Sequence, residues 1–185
     1  MMLEWLAVIA SLICVILTIR RSVVAWGVGI IGIIAYFFLF YQEKLYGEMV
    51  LQVIFLVQSV YGWYIWSNNV DKDNKTQVLN INRLELIVSG FTLVFGTGVT
   101  YYLLVTYTDT SLPSLDSITV TMSLTANMLL ARRKIEACYL WMVVDIIFVG
   151  LFIIKGLFLS AALYAVFFLL ALKVLLEWKR NLRLG

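Results

Sequence analysis

Residues 45–66 read LYGEMVLQVIFLVQSVYGWYIW, a mostly apolar run that closes on a cluster of Gln, Tyr, Gly and Trp. Such a run, helical at about 1.5 Å per residue, is long enough for a hydrocarbon core of about 30 Å. Sliding the chain along itself until Trp66 lies on Trp178 returns the same frame without a gap, as LFLSAALYAVFFLLALKVLLEW from Leu157 to Trp178. The overlay extends backward, setting Glu4 to Trp66 on Asp116 to Trp178. Ser11 falls on Ser123, Arg20 and Arg21 on Arg132 and Arg133, Leu45 on Leu157, Phe55 on Phe167, and Trp66 on Trp178. Apolar identities arise easily in such a composition. The paired arginines, the final tryptophan and the absence of gaps point to a repeated unit.

Composition sets the class. Apolar residues make up 63% of the 185, mean hydropathy is +0.96, and there is a single proline. So little polar surface cannot solvate a globule, and the chain reads as an integral membrane protein. The backbone must then be helical, because unsatisfied peptide groups are costly in hydrocarbon and no barrel-type alternation is present. Seven apolar runs are expected: Leu3 to Ile19, Ser22 to Tyr41, Glu48 to Trp66, Leu84 to Leu104, Leu115 to Ala131, Tyr139 to Ile154 and Leu157 to Leu176. The first lacks a basic lead-in and a small-residue cleavage site before Arg20, and is read as a retained span.

Eleven of the 14 basic residues gather in alternate loops and the tail: Arg20, Arg21, Lys72, Lys75, Arg83, Arg132, Arg133, Lys134, Lys179, Arg180 and Arg183. The positive-inside rule then sets the N-terminus outside and the C-terminus in the cytoplasm. The opposite loops hold only Lys44 and Lys155, and Lys173 lies inside the last run. Two three-span units keep the same orientation only if an odd number of crossings separates them, and Leu84 to Leu104 supplies one. The expected architecture is all-α, three plus one plus three, with parallel units, a known transporter plan. Its parts are 1–66, a first repeat; 67–115, a linker, linking helix and external loop; and 116–185, a second repeat with a cytoplasmic tail. The stretch SNNVDKDNKTQVLNINR, Ser67 to Arg83, reads as a polar cytoplasmic linker.

Polar side chains inside spans should face a bundle interior or cavity. Gln52, Phe55, Ser59, Gly62 or Trp63, and Trp66 form one stripe at helical spacing, with Gln58 on an adjoining face. Gln52, Gln58 and Trp63 are candidate substrate contacts. Trp66 and its counterpart Trp178 are read as members of the interfacial aromatic belt. In the second unit Asn127 is a candidate, as are Trp141 and Asp145, one turn apart, which suit a flat organic cation through a ring face and a charge. An alternative for Asp145 is a structural ion pair with Lys173 at similar depth. Tyr36 and Tyr164 add hydroxyls and stacking surface. The chain has no histidine, and Cys14 and Cys138 stand alone at no ligand spacing, so they read as small buried residues and no metal site is supported. No nucleophile and base pair or nucleotide loop is present, so catalysis, primary active transport, cofactor use and nucleic-acid binding find no support. A retinal photoreceptor built on Lys173 is disfavoured, since that lysine is not mid-helix and the third span lacks an internal acid.

LYGEMVLQ at 45–52, SVYGWYIW at 59–66, RRKIEACYLWMVVD at 132–145 and IKGLFLSAALY at 154–164 together resemble the Pnu-type (PnuC-like) bacterial vitamin transporters. The resemblance covers nearly the whole chain. It implies a full-length SWEET-like fold in the inner membrane and facilitated diffusion of an unphosphorylated vitamin, trapped by a cytoplasmic kinase. It also implies, often, a homotrimer. Riboside carriers of this family tend to carry Gln at the position of Asn127 and Trp at that of Cys138. These departures point to the thiamine branch first, nicotinamide riboside as the alternative, and neutral, larger riboflavin third.

Overall fold

The computed structural model describes residues 2–42, 46–71, 75–108, 110, 112–154 and 158–184. Expectations attached to Lys44, Leu45, Lys72, Lys155 and Leu157 lie outside the described residues. Among those described, seven helices are found: α1 (Met2–Ile19), α2 (Val24–Gln42), α3 (Tyr46–Ser67), α4 (Arg83–Tyr107), α5 (Pro113–Ala131), α6 (Ala137–Ile154) and α7 (Phe158–Leu184). They follow the seven apolar runs closely. The main extension is α7, which continues past Leu176 because the basic tail contains good helix formers and no Gly or Pro before its end.

Among the described residues five helices are long and apolar enough to cross a membrane: α2, α3, α4, α6 and α7. The apolar part of α1, Trp5–Ile19, is shorter. Helix α5 falls short for another reason: it buries Ser117, Thr119, Thr121, Ser123, Thr125 and Asn127. Burial at every second position of a helix covers several of its sides, and α5 indeed packs against α3, α4 and α6. Three of its hydroxyls are satisfied within the helix, as in Ser117 to the Ser114 carbonyl at 2.9 Å and Thr125 to the Thr121 carbonyl at 2.8 Å, and Thr121 meets the Thr100 hydroxyl of α4 at 3.4 Å. A helix with satisfied polar groups and helical neighbours needs no strongly apolar sequence.

Helices α1, α2 and α3 pack in succession, as do α5, α6 and α7, and the two groups meet along α3 with α5 and α1 with α7. Among the described residues α4 packs against α5 and no other helix, and it buries none of its own residues. It starts with a capping box between Asn82 and Glu85.

Helices α1 and α5 end alike. The Arg21 N–H donates to the Thr18 carbonyl at 3.0 Å and Ser22 to Leu17 at 3.1 Å; at the corresponding positions of the second unit, Arg133 donates to Leu130 and Lys134 to Leu129, both at 2.8 Å. These are two Schellman motifs. Each puts an arginine in the left-handed region, φ 57° at Arg21 and 64° at Arg133, where glycine is usual and an L side chain costs about 1–2 kcal/mol. The same two carbonyls each accept a second bond from across the seam. The Trp66 indole N–H donates to the Leu130 carbonyl at 3.1 Å, and the Trp178 indole N–H to the Thr18 carbonyl at 3.2 Å.

Both indoles are fully buried, at 0% exposure, so their reading as an interfacial belt is corrected: they lie inside the protein and bond across its two seams. With Trp26, Val78, Cys138, Val174 and Leu175 they form the main apolar cluster.

The linker also differs from a solvated tether. Asp71, Lys75, Thr76, Gln77 and Leu79 make isolated β-bridges or backbone bonds, with Ser22 against Lys75, Val70 against Thr76 and Leu79 against Lys134. Thr76 is fully buried and Val78 is 8% exposed. Hydrophilic composition does not reveal backbone pairing, because the groups that pair are common to every residue.

Candidate functional site

Helices α3 and α5 meet across one of the two seams, and there Gln58 and Asn127 come together. The Asn127 amide nitrogen donates to the Gln58 side-chain oxygen at 2.9 Å, and the Gln58 amide nitrogen donates to the Leu124 carbonyl at 3.2 Å. That backbone acceptor fixes which way the Gln58 amide faces, which in turn orients Asn127. Both side chains are 8% exposed. Among the described residues the Asn127 side-chain oxygen accepts no hydrogen bond, so the pair has one acceptor in reserve. An amide pair so held presents a fixed donor and acceptor pattern to a polar guest.

On α6, Asp145 is 5% exposed and has no hydrogen-bond or ion-pair partner among the described residues. Trp141 stands one turn before it, partly buried. The expected partner Lys173 is exposed. On α7 the buried face is Ala171, Val174, Leu175 and Trp178, and Lys173 falls on the opposite side. The Asp145 to Lys173 ion pair is therefore corrected: similar depth does not mean facing directions. The ion pair observed among the described residues is Lys134 with Glu85, 2.8 Å apart at the loop end of α5 and α4.

Tyr164 on α7 packs within an aromatic group, its ring 4.7 Å from Phe148, 5.4 Å from Phe152 and 5.9 Å from Phe167. Tyr36 stacks on Phe40 at 5.7 Å, and at the matching positions of the second unit Phe148 stacks on Phe152 at 6.0 Å. Gln52 is 9% exposed and borders an apolar cleft of about 350 Å³ between α2 and α3, with Phe37, Phe38 and Leu56. Trp63 is 45% exposed, its ring against Gly27 of α2 at 3.4 Å from where a Cβ would stand. It sits at the edge of the buried face of α3 and makes no described contact with the amide pair.

The candidate residues thus divide into Gln58 and Asn127, directly bonded; Trp141 and Asp145 on one side of α6; Tyr164 in its aromatic group; and Tyr36, Gln52 and Trp63 within the α2 and α3 pair. Sequence patterning misses Trp26, which is 5% exposed and meets Trp66 edge-on at 5.5 Å. The available signal is the nearby Gly62, whose missing side chain makes room for that indole.

The family model described as nicotinamide mononucleotide transporter matches residues 1–180. The chain belongs to this family. It is 25% identical over 208 residues to the nicotinamide riboside transporter PnuC of Escherichia coli strain K12, covering 98% of this chain and 86% of that one. It is 28% identical over 173 residues to the riboflavin/roseoflavin transporter RibM of Streptomyces davaonensis, covering 92% and 81%. A solved structure, titled as that of the vitamin B3 transporter PnuC, matches with a TM-score of 0.78 at 22% identity, covering 98% of this chain and 82% of that chain. That likeness establishes a shared fold. Family membership and the apolar helices make this a multi-pass membrane protein of a vitamin-transporter family. Thiamine, expected first from Asn127 and Cys138, appears in none of these names; the relatives favour the alternative, nicotinamide riboside.

Proposed function

We propose that the chain is a passive carrier for an unphosphorylated, positively charged B vitamin, with nicotinamide riboside as the first substrate. The carrying observation is Asp145, a carboxyl group only 5% exposed with no protein partner among the described residues. A buried charge is costly unless paired, and a cationic guest offsets that cost. Nicotinamide riboside offers a pyridinium ring for Asp145 and for the Trp141 ring face. Its carboxamide and ribose hydroxyls match the donor and acceptor pattern of Gln58 and Asn127. The kinship with named nicotinamide riboside transporters supports the same choice. Thiamine is the second reading, since it is also a flat cation.

The proposed architecture is two parallel three-helix units joined by α4, with all seven helices crossing the inner membrane, the N-terminus outside and the C-terminus in the cytoplasm. Supporting it are the matched Schellman motifs, the reciprocal indole bonds and the stacked aromatic pairs, all related by the offset that lays Trp66 on Trp178. Orientation rests on the basic loops. Vitamin exchange would alternate at the seams between the units, a kinase would trap the product, and three copies would assemble. A calorimetric titration of the purified protein against nicotinamide riboside, thiamine and riboflavin tests the substrate. Equal or tighter binding of neutral riboflavin would overturn the cation reading. In liposomes the labelled vitamin should equilibrate without a gradient; accumulation driven by protons or sodium would overturn uniport.

A further inference from the structure

The segment Thr76 to Leu79 crosses the loop end of the bundle between two carbonyls that correspond in the repeat. The Thr76 N–H donates to the Arg21 carbonyl at 3.1 Å, and the Leu79 N–H donates to the Arg133 carbonyl at 2.9 Å. These are the two residues held in the left-handed conformation, which turns each carbonyl out of its helix toward the linker. Between the anchors, Val78 drops its side chain into the cluster of Trp66, Trp178 and Cys138. The strap therefore spans both helix groups and stops the end of the seam between them.

We propose that this strap is a latch that must release for the loop end of the carrier to open. The two anchors are unequal. At the far end Leu79 also accepts from the Ile135 N–H at 3.1 Å, the Lys134 ammonium reaches the Asn80 carbonyl at 3.1 Å, and the Ile81 N–H donates to the Glu136 carboxylate at 3.0 Å. The Lys134 to Glu85 ion pair adds to that end. At the near end the strap holds the α1–α2 turn through the Thr76 N–H and through the Arg21 guanidinium, which donates to the Thr76 carbonyl at 3.1 Å, and it holds the chain just past α3 through the Thr76 hydroxyl and the Gln77 N–H, both donating to the Asn69 carbonyl at 3.4 Å. Release occurs at Arg21, where fewer bonds break, and the strap stays with the α5–α6 turn. Opening then withdraws Val78 and exposes the tryptophan cluster. The latch rests on the carrier reading but not on which vitamin is carried.

Cys138, 3% exposed in that cluster, is a native reporter. In a Cys14→Ser background its alkylation by a small maleimide is followed by mass spectrometry in lipid nanodiscs. Thr76→Pro removes the donor to Arg21, and Val78→Gly removes the plug. Each should label at least tenfold faster than the parent. Labelling within twofold of the parent in either variant that retains its helical circular dichroism would overturn the latch; if Thr76→Pro does not fold, Val78→Gly decides. A second arm pins the near end with Ser22→Cys and Lys75→Cys, opposite each other in an antiparallel bridge, in a Cys14→Ser, Cys138→Ala background. Oxidation should slow vitamin flux at least tenfold, leave affinity within threefold, and reverse with dithiothreitol. Undiminished flux in the fully cross-linked protein would overturn the proposal. Failure of the parent to move any of the three vitamins would instead reject the carrier reading, and the labelling arm would still report on the strap.

Discussion

Gln58 and Asn127, far apart in sequence, share a hydrogen bond of 2.9 Å across the α3–α5 seam. Their counterparts in the repeat, Leu170 and Val15, are both apolar. One seam is therefore polar at the depth where the other is greasy. Gln58→Leu alone strands a buried amide donor and should cost about 1–3 kcal/mol of stability. Gln58→Leu with Asn127→Val, copying the other seam, should recover most of it, because both polar partners are removed together. Vitamin affinity should fall at least tenfold, about 1.4 kcal/mol, in the single and the double variant alike. Thermal unfolding and calorimetry on the same preparations separate the two effects; recovered binding in the double variant would reject the amide pair as a contact.

Asp145→Asn should weaken binding of a cationic vitamin at least tenfold while leaving thermal stability level or raised, since no protein cation loses a partner. Lys173→Met, at an exposed position on the far side of α7, should change neither. A large stability loss in both variants, restored on combining them, would revive the ion pair that the packing of α7 does not support.

Trp141→Ala should also lower affinity at least tenfold through loss of the ring face, with expression unchanged. Its partial burial leaves room for truncation without a large cavity. Unchanged calorimetric affinity here and in Asn127→Ala would move the pocket elsewhere.

Gly62 carries Trp26 against its backbone: a Cβ placed there would lie 2.5 Å from the indole. Gly62→Ala should destabilise by about 1–3 kcal/mol through overpacking. The counterparts of Trp26 and Gly62 are Cys138 and Val174, a small residue beside a larger one. Trp26→Cys with Gly62→Val should therefore recover much of the lost melting temperature, and failure to do so would show that the two positions do not compensate in volume.

Trp66→Phe and Trp178→Phe should each cost about 1–3 kcal/mol, from a lost hydrogen bond and a smaller ring. Because the rings are 6.0 Å apart, the double variant should depart from additivity. A thermal shift for one position only would argue that the two seams are not equivalent in strength.

Helix placement is readable from apolar runs with charged breaks, since a membrane helix satisfies its backbone internally and needs only a long enough apolar stretch. The arginine pairs at 20–21 and 132–133 mark the two matched helix ends, although the left-handed backbone at their second members leaves no sequence signal. Gln58 and Asn127 stand out as costly amides, but their bond to each other does not. The interfacial reading of Trp66 and Trp178 fails because an aromatic residue at a helix end suits a lipid interface and a buried seam equally well.

Residue order alone sets the helices and the correspondence between the two units, because both depend on local pattern and on residue identity at fixed spacing. Which face of each helix turns inward emerges only when the helices pack. Packing put Lys173 outside and Asp145 inside, joined Gln58 to Asn127, and laid the linker across two turned-out carbonyls. Those outcomes depend on helix rotation and on backbone groups that every residue carries, and neither leaves a mark on side-chain composition.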